Sequence, residues 1–324
     1  MGALALTARS RSSLNDMNSK NKNQFGFTLI EMSIVMVIIG LIIGGVLVGR
    51  DLISASAVRA QISQIEKYNS AVNTFRGKYG YLPGDIPDPT AQSYGFLARG
   101  TCFGGTPCVA NGDGNGIIEG TLSQAAGVNF GIAESLGETS VFWRDLSDAK
   151  LIDGGFQTAT FMSAYATTPS LIFPAAKIGG GNYVYVYSNG SWNGVIWTSS
   201  GVNYFGISAS PAFTAWALIS APGLSVAQAY NMDSKIDDGV PQSGKVTAQY
   251  INYYSTTFNP AWARGGTNTM GANSGSPNYA PTTTATAGSA LTCYDNNGIS
   301  GTQNYSMGQN GGAGINCALS FQFQ

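Results

Sequence analysis

Four groupings of residues have types and spacings that could do chemistry. In Asn111-Gly-Asp113-Gly-Asn115-Gly116-Ile117-Ile118-Glu119, oxygen-bearing side chains fall at positions one, three and five, glycine at six and an apolar residue at eight. A hard cation such as calcium needs about six to eight oxygens, and this spacing aims three side chains inward while Gly116 turns the chain. Ile117 stands at position seven, where such loops use a main-chain carbonyl. Position twelve is Leu122, where a bidentate carboxylate belongs, so Glu119, Glu134 or Glu138 would have to substitute; a polar Gly/Asn turn is the plain alternative. The second grouping, Asp233, Asp237 and Asp238, gathers three carboxylates at a helix end, where acids oppose the dipole and call for a compensating partner. A second cation, Lys235 or Lys245 would serve, and a solvated Asp-Gly turn competes.

The third grouping is Cys102, Cys108, Cys293 and Cys317. In an exported chain an even number reads as disulfides, and sequence proximity favours Cys102–Cys108 and Cys293–Cys317 among the three connectivities. A zinc site built on all four thiolates is the alternative, against which neither pair has the short spacing that zinc ligands use. Histidine is absent, which removes Ser–His and Cys–His nucleophiles and every imidazole metal site. Two near-motifs fail. Gly239-Val-Pro-Gln-Ser-Gly244-Lys245-Val246 approaches a phosphate loop, but Val246 replaces its Ser/Thr, Pro241 interrupts it and a strand pattern follows. Ser147-Asp-Ala-Lys150 has the spacing of an acylating dyad but no Lys-Thr-Gly partner.

The fourth grouping is one residue. Glu31 is the single charge in residues 27–48, a run of 22 residues that as a helix would be about 33 Å long, enough for a bilayer core of about 30 Å. A carboxylate one turn inside such a helix marks a functional pairing. Apolar residues continue at three- and four-residue spacing from Leu52 and Ala55 through Val58, Ile62, Ile65, Tyr68, Val72 and Phe75 to Tyr79, predicting one helix over residues 27–79. Gly40-x3-Gly44 reads either as close helix packing or as a slight weakening of the helix.

Gly26-Phe27-Thr28-Leu29-Ile30-Glu31 after a basic leader resembles the prepilin signal of type IV pilins and type II secretion pseudopilins. The resemblance implies cleavage after Gly26 by a prepilin peptidase, methylation of Phe27, and pairing of Glu31 with the N-terminus of a neighbouring subunit. It further implies a pilin-like α+β fold, a long N-terminal helix on an antiparallel sheet with long loops, and copies of itself and other pilins as partners. The family's helix often carries a proline here and this one has none, so any local melting would use Gly40, Gly44 and Gly45. An ordinary signal anchor, or a signal peptide cut after Ala55-Ser56-Ala57, would leave a different N-terminus.

Composition is that of a glycine-rich, strand-and-loop chain with enough apolar surface for a core: 44% hydrophobic, 10% charged, 43 glycines and a net charge of −1. Arg9, Arg11, Lys20 and Lys22 against Asp16 give residues 1–26 a charge of +3, leaving −4 on the remainder. The basic leader predicts an N-in, C-out single pass, and the resemblance implies that this is in the inner membrane before assembly. A mildly acidic exterior without basic clusters argues against nucleic acid as a partner. Met17 would make a compact leader start.

The expected plan is leader 1–26, helix 27–79 and a β-rich domain 80–324. Gly80 and Pro83 end the helix, residues 88–138 are glycine-rich loop, a short helix covers 139–152 and a two-turn helix capped by Ser225 covers 226–233. Strand-like runs fall at 171–173, 183–187, 195–198, 204–207, 213–219, 246–254, 291–294 and 315–323, with a long polar loop at 265–290. The expected function is a non-enzymatic filament subunit with calcium as its one candidate cofactor. An exported sugar-binding or adhesive module, using Tyr183, Tyr185, Tyr187, Trp192, Trp197, Tyr204 and Trp216, or an exported enzyme on the same anchor, is the alternative.

Overall fold

The computed structural model describes residues 27–99, 112–120, 137–157, 159, 168–188, 191–192, 195–196, 202–213, 218–251, 260–263, 292–295, 304–308 and 310–323. Contacts divide the chain into two compact units, Met1–Asp51 and Leu52–Gln324. Helix α1, Leu29–Tyr79, runs unbroken through Gly40, Gly44 and Gly45. The described part of the first unit is the inner half of this helix. Its most apolar window has a mean hydropathy of 2.7, and none of that window is buried.

The outer half of α1 belongs to the second unit. The buried stripe begins at Val58, and Leu52 stays exposed, so the apolar periodicity overshoots the packed face by about two turns. Two of the buried positions are glutamines. Gln61 Oε1 accepts the Ile178 N–H at 3.0 Å and Gln64 Oε1 accepts the Lys177 N–H at 2.9 Å, while Gln64 Nε2 donates to Ala175 O at 2.9 Å. These bonds tie the backbone of loop 175–178 to the packed face of the helix. Gly80, with φ +81°, ends the helix by returning its N–H to Arg76 O at 2.8 Å.

The sheet has five antiparallel strands: β1 Asn182–Ser188, β2 Asn203–Phe213, β3 Leu218–Ala221, β4 Val246–Thr247 and β5 Leu319–Gln322. Its order is β1-β2-β5-β4, with β3 also paired to β2. One face receives helix α2, Gly137–Asp148, and the outer half of α1 through an aromatic stack: Tyr68 and Trp143 centroids are 4.7 Å apart, Trp143 and Phe205 5.8 Å, Phe205 and Phe323 4.2 Å. On the other face Tyr185 O–H accepts the Ile251 N–H at 3.0 Å and Ser320 Oγ donates to Gln249 O at 2.9 Å, so segment 249–251 covers it.

With both faces covered, the Tyr/Val alternation of β1 is core on both sides. Tyr185 and Tyr187 are buried and Tyr183 and Tyr204 half-buried. Trp197 and Trp216 lie outside the described residues, as does the side chain of Trp192. Residues 171–173, expected as strand, instead leave a 3-10 turn, Pro169–Leu171, because Pro169 fixes the turn's φ and Pro174 denies a ladder donor. The capped helix is present as α3, Val226–Ile236, with a full capping box between Ser225 and Gln228, one turn longer than expected.

Candidate functional site

Thr28 and Glu31 begin α1. The Thr28 N–H and hydroxyl donate to Glu31 Oε2 at 2.7 and 2.8 Å, and the Glu31 N–H returns to Thr28 Oγ1 at 3.3 Å. This is a capping box, and an acid in the first turn also complements the helix dipole. Glu31 therefore has a use inside its own chain, which Thr-x-x-Glu could have signalled. Both donors fall on Oε2, leaving Oε1 outside the box. Phe27, just before it, is 77% exposed, and Gly26 lies outside the described residues. A β-carbon added at Gly40 or Gly44 would meet nothing within 4 Å, so that flank of the helix is open.

The second constellation gathers around residues 112–120. This loop is tied to the sheet: Asn203 Oδ1 accepts the Ile118 N–H at 2.8 Å, Asn203 Nδ2 donates to Gly116 O at 2.9 Å, and Ser188 Oγ donates to Ile118 O at 2.9 Å. Two acids from elsewhere in the chain brace it. Asp85 accepts the N–H groups of Gly114 and Gly116 at 2.7 and 2.8 Å; Glu138, in the first turn of α2, accepts those of Gly112 and Glu119 at 2.9 Å each. Gly112 has φ +74°, and a β-carbon there would lie 2.3 Å from Ile86 O, so only glycine fits.

The placement differs from the expected calcium loop. Asn115 Oδ1 accepts the Ile117 N–H at 2.7 Å and its Nδ2 donates to Asp113 Oδ2 at 3.1 Å, so Asn115 presents its amide donors to the acids, and its oxygen is spent within the turn. Ile117 enters through that N–H. Asp113 and Glu119 do face the cluster, whereas Asn111 and Glu134 lie outside the described residues. Glu138 is the substitute that reaches the loop. Asp85, which the spacing gave no reason to include, is 28 residues upstream of Asp113 and arrives on the turn after α1.

Burial first, then the neighbouring acids, push these carboxyls up: Asp85 to about 7, Glu119 to about 8, and Glu138 well above the carboxylate range. Asp113, at the rim, is raised by the same burial. Four acids this close favour protonation or a cation.

The cluster at the end of α3 is differently resolved. Asp233 accepts from Gly239 N–H at 3.1 Å and Tyr305 O–H at 2.8 Å, and Asp238 from Val240 N–H and Ser243 O–H, each at 2.8 Å. Asp237 Oδ2 takes the N–H groups of Lys245 and Val246. The segment that resembled a phosphate loop thus gives its backbone donors to aspartates of its own chain. Cys293 and Cys317 form a disulfide joining the 292–295 segment to the last strands. Cys102 and Cys108 lie outside the described residues.

Residues 21–47 match the family model of the prokaryotic N-terminal methylation motif. No curated protein and no solved structure matches the chain. A methylation motif that leads into a long, uncovered apolar helix, on a chain with an antiparallel sheet, fits a type IV pilin-like prepilin.

Proposed function

We propose that this chain is a non-enzymatic structural subunit of a type IV pilus or a type II secretion-type filament. On this reading prepilin peptidase cuts after Gly26, the new Phe27 amine is methylated, and the subunit waits in the inner membrane with its N-terminus inside and its bulk outside. It then stacks helix to helix with other pilins in a periplasmic or extracellular filament. The observation that carries the reading is the uncovered inner half of α1, most of which lies within the matched methylation motif. An apolar helix of that kind requires lipid or other helices around it. The open flank at Gly40 and Gly44 supports close approach of a neighbour.

Glu31 is the registering group in this proposal. Its Oε2 is engaged by Thr28, and its Oε1 is the oxygen that a neighbour's ammonium would take. Such an ion pair in an apolar core needs close geometry to offset desolvation, which makes it selective for one stagger. The test is Glu31→Ala beside Thr28→Val. Glu31→Ala should be processed normally yet fail to enter filaments, and Thr28→Val should assemble. Normal assembly of Glu31→Ala, or an intact mass retaining residues 1–26 in the mature protein, would falsify the proposal.

A further inference from the structure

We propose that the groove between the outer half of α1 and segments 153–156 and 170–177 binds an acidic sugar, a uronic acid residue of a polysaccharide. The groove has a volume of about 630 Å³, within the range of pockets that take small ligands, and Lys67, Tyr68, Asp153, Phe156, Phe173 and Lys177 are among its lining residues. Nothing in the proposal depends on whether the chain assembles. Tyr185 and Tyr187, two of the tyrosines expected to stack on sugar, are spent in the core. The groove brings together a different set of groups.

Charge comes first. Lys67 Nζ donates to Asp153 Oδ2 at 2.7 Å, joining the helix wall to the 153–156 wall, with both side chains more than half exposed. Such a pair is weak, so a ligand can share its groups. The bond from Lys67 and then its charge hold the Asp153 carboxyl below the usual carboxylate range, and the charge of Lys177 adds to this from the 170–177 wall. Lys177 is exposed and makes no ion pair among the described residues. Two ammoniums against one carboxylate leave the rim one positive charge in excess, on a chain whose residues 27–324 sum to −4. One carboxylate on the ligand complements it.

Hydrogen bonding narrows the class. Gln64 Nε2 donates to the Tyr68 hydroxyl oxygen at 2.8 Å and to Ala175 O at 2.9 Å, and all three residues line the groove. The phenol is an acceptor in that bond, and among the described residues nothing takes its own hydrogen. Burial, with the charge of Asp153 adding to it, pushes Tyr68 up to about 12, so the hydroxyl stays a donor. Asp153 meets Lys67 through Oδ2 and keeps Oδ1 as an acceptor. Sugar hydroxyls use donors and acceptors together, whereas a bare anion would be repelled by Asp153. Phe156, Phe173 and Pro174 supply apolar lining for the C–H faces of a ring. Gly154, with φ +127°, keeps its wall bare, since a β-carbon there would lie 2.7 Å from the Phe156 ring.

The full-length chain in detergent is titrated calorimetrically with digalacturonate, and separately with the neutral galactose disaccharide, acetate and triglutamate. Saturable binding of one digalacturonate per chain is expected, with the neutral disaccharide and acetate each at least about tenfold weaker. Lys177→Gln should weaken binding about tenfold or more and Tyr68→Phe about fivefold. Ser63→Phe, which places a ring in the groove, should abolish it, while Arg76→Gln on the same helix leaves it unchanged. Ser63 and Lys177 are exposed, so both replacements leave the core intact. The proposal is overturned if the native chain gives no binding heat with digalacturonate, or if Lys177→Gln or Ser63→Phe binds it as the native chain does. Equal binding of the neutral disaccharide or of acetate overturns it as well, and tighter binding of triglutamate would replace the sugar with an acidic peptide.

Discussion

The guanidinium of Arg99 closes on the carboxylate of Asp145 at 2.6 Å, with 2% and 0% of the two side chains exposed. Arg99 Nε also donates to Ile86 O at 3.0 Å, and Asp145 Oδ2 accepts the Gly84 N–H at 2.7 Å. The pair therefore ties the turn after α1 to α2, and that turn carries Asp85. Arg99→Met would leave Asp145 charged and unpaired in the interior, lowering stability by about 3–5 kcal/mol. Replacing both partners with apolar residues should lose less. Urea unfolding of both single variants and the double variant checks this; a double-variant loss equal to the sum of the single losses would mean that the pair is not a unit.

Gly206 stands opposite Tyr185 in the β1–β2 pair, and a β-carbon on it would sit 2.2 Å from the tyrosine Cε2. Gly206→Ala should cost about 1–3 kcal/mol by forcing the ring aside. The cost should shrink when Tyr185→Leu is already present, because the two sites share one volume. Additive losses in the denaturation midpoints would show that the ring has room to move.

Asp233 is buried against Tyr305, with Asp237 and Asp238 nearby, and burial pushes its carboxyl up to about 7. A raised acid favours the folded state when protonated. Its contribution is complete below pH about 4 and is lost as the pH climbs through about 7. At fixed calcium, stability should fall across that window more steeply in the native chain than in Asp233→Asn. The difference is at most about 1.4 kcal/mol per pH unit for one proton. Parallel pH profiles for the two proteins would remove Asp233 as the cause.

Cys293 and Cys317 are 24 residues apart in sequence. Closing a loop of that size restricts the unfolded chain enough to contribute about 3 kcal/mol. Cys317→Ser should lower the thermal midpoint, and reductant should lower the native midpoint to the same level. A native protein indifferent to reductant would contradict it.

The long helix and the capped α3 were legible in sequence because periodicity and Ser-x-x-Gln are local signals. What escaped was fixed by partners far along the chain. Gln61 and Gln64 are buried because segment 175–178 is laid over them, where a glutamine can satisfy an N–H that leucine cannot. Asp85 gave no signal in the sequence, and Glu138 was one of three acids that could have stood in for the missing carboxylate. Only the tertiary fold aims both at the loop holding Asp113. Asn115 shows the reverse error: a residue at a ligand's spacing is consumed by its own turn. The Tyr residues of β1 gave no hint of which face water would reach, since a sheet covered on both sides has no exposed register.

The Thr28–Glu31 box uses one of the two carboxylate oxygens and leaves the other outside it. On the proposed function, Oε2 keeps the hydroxyl and amide of Thr28 with or without a neighbour, so half of the carboxylate stays hydrogen-bonded within its own chain. Gain or loss of a neighbour in the proposed filament would then change the partner of Oε1 alone.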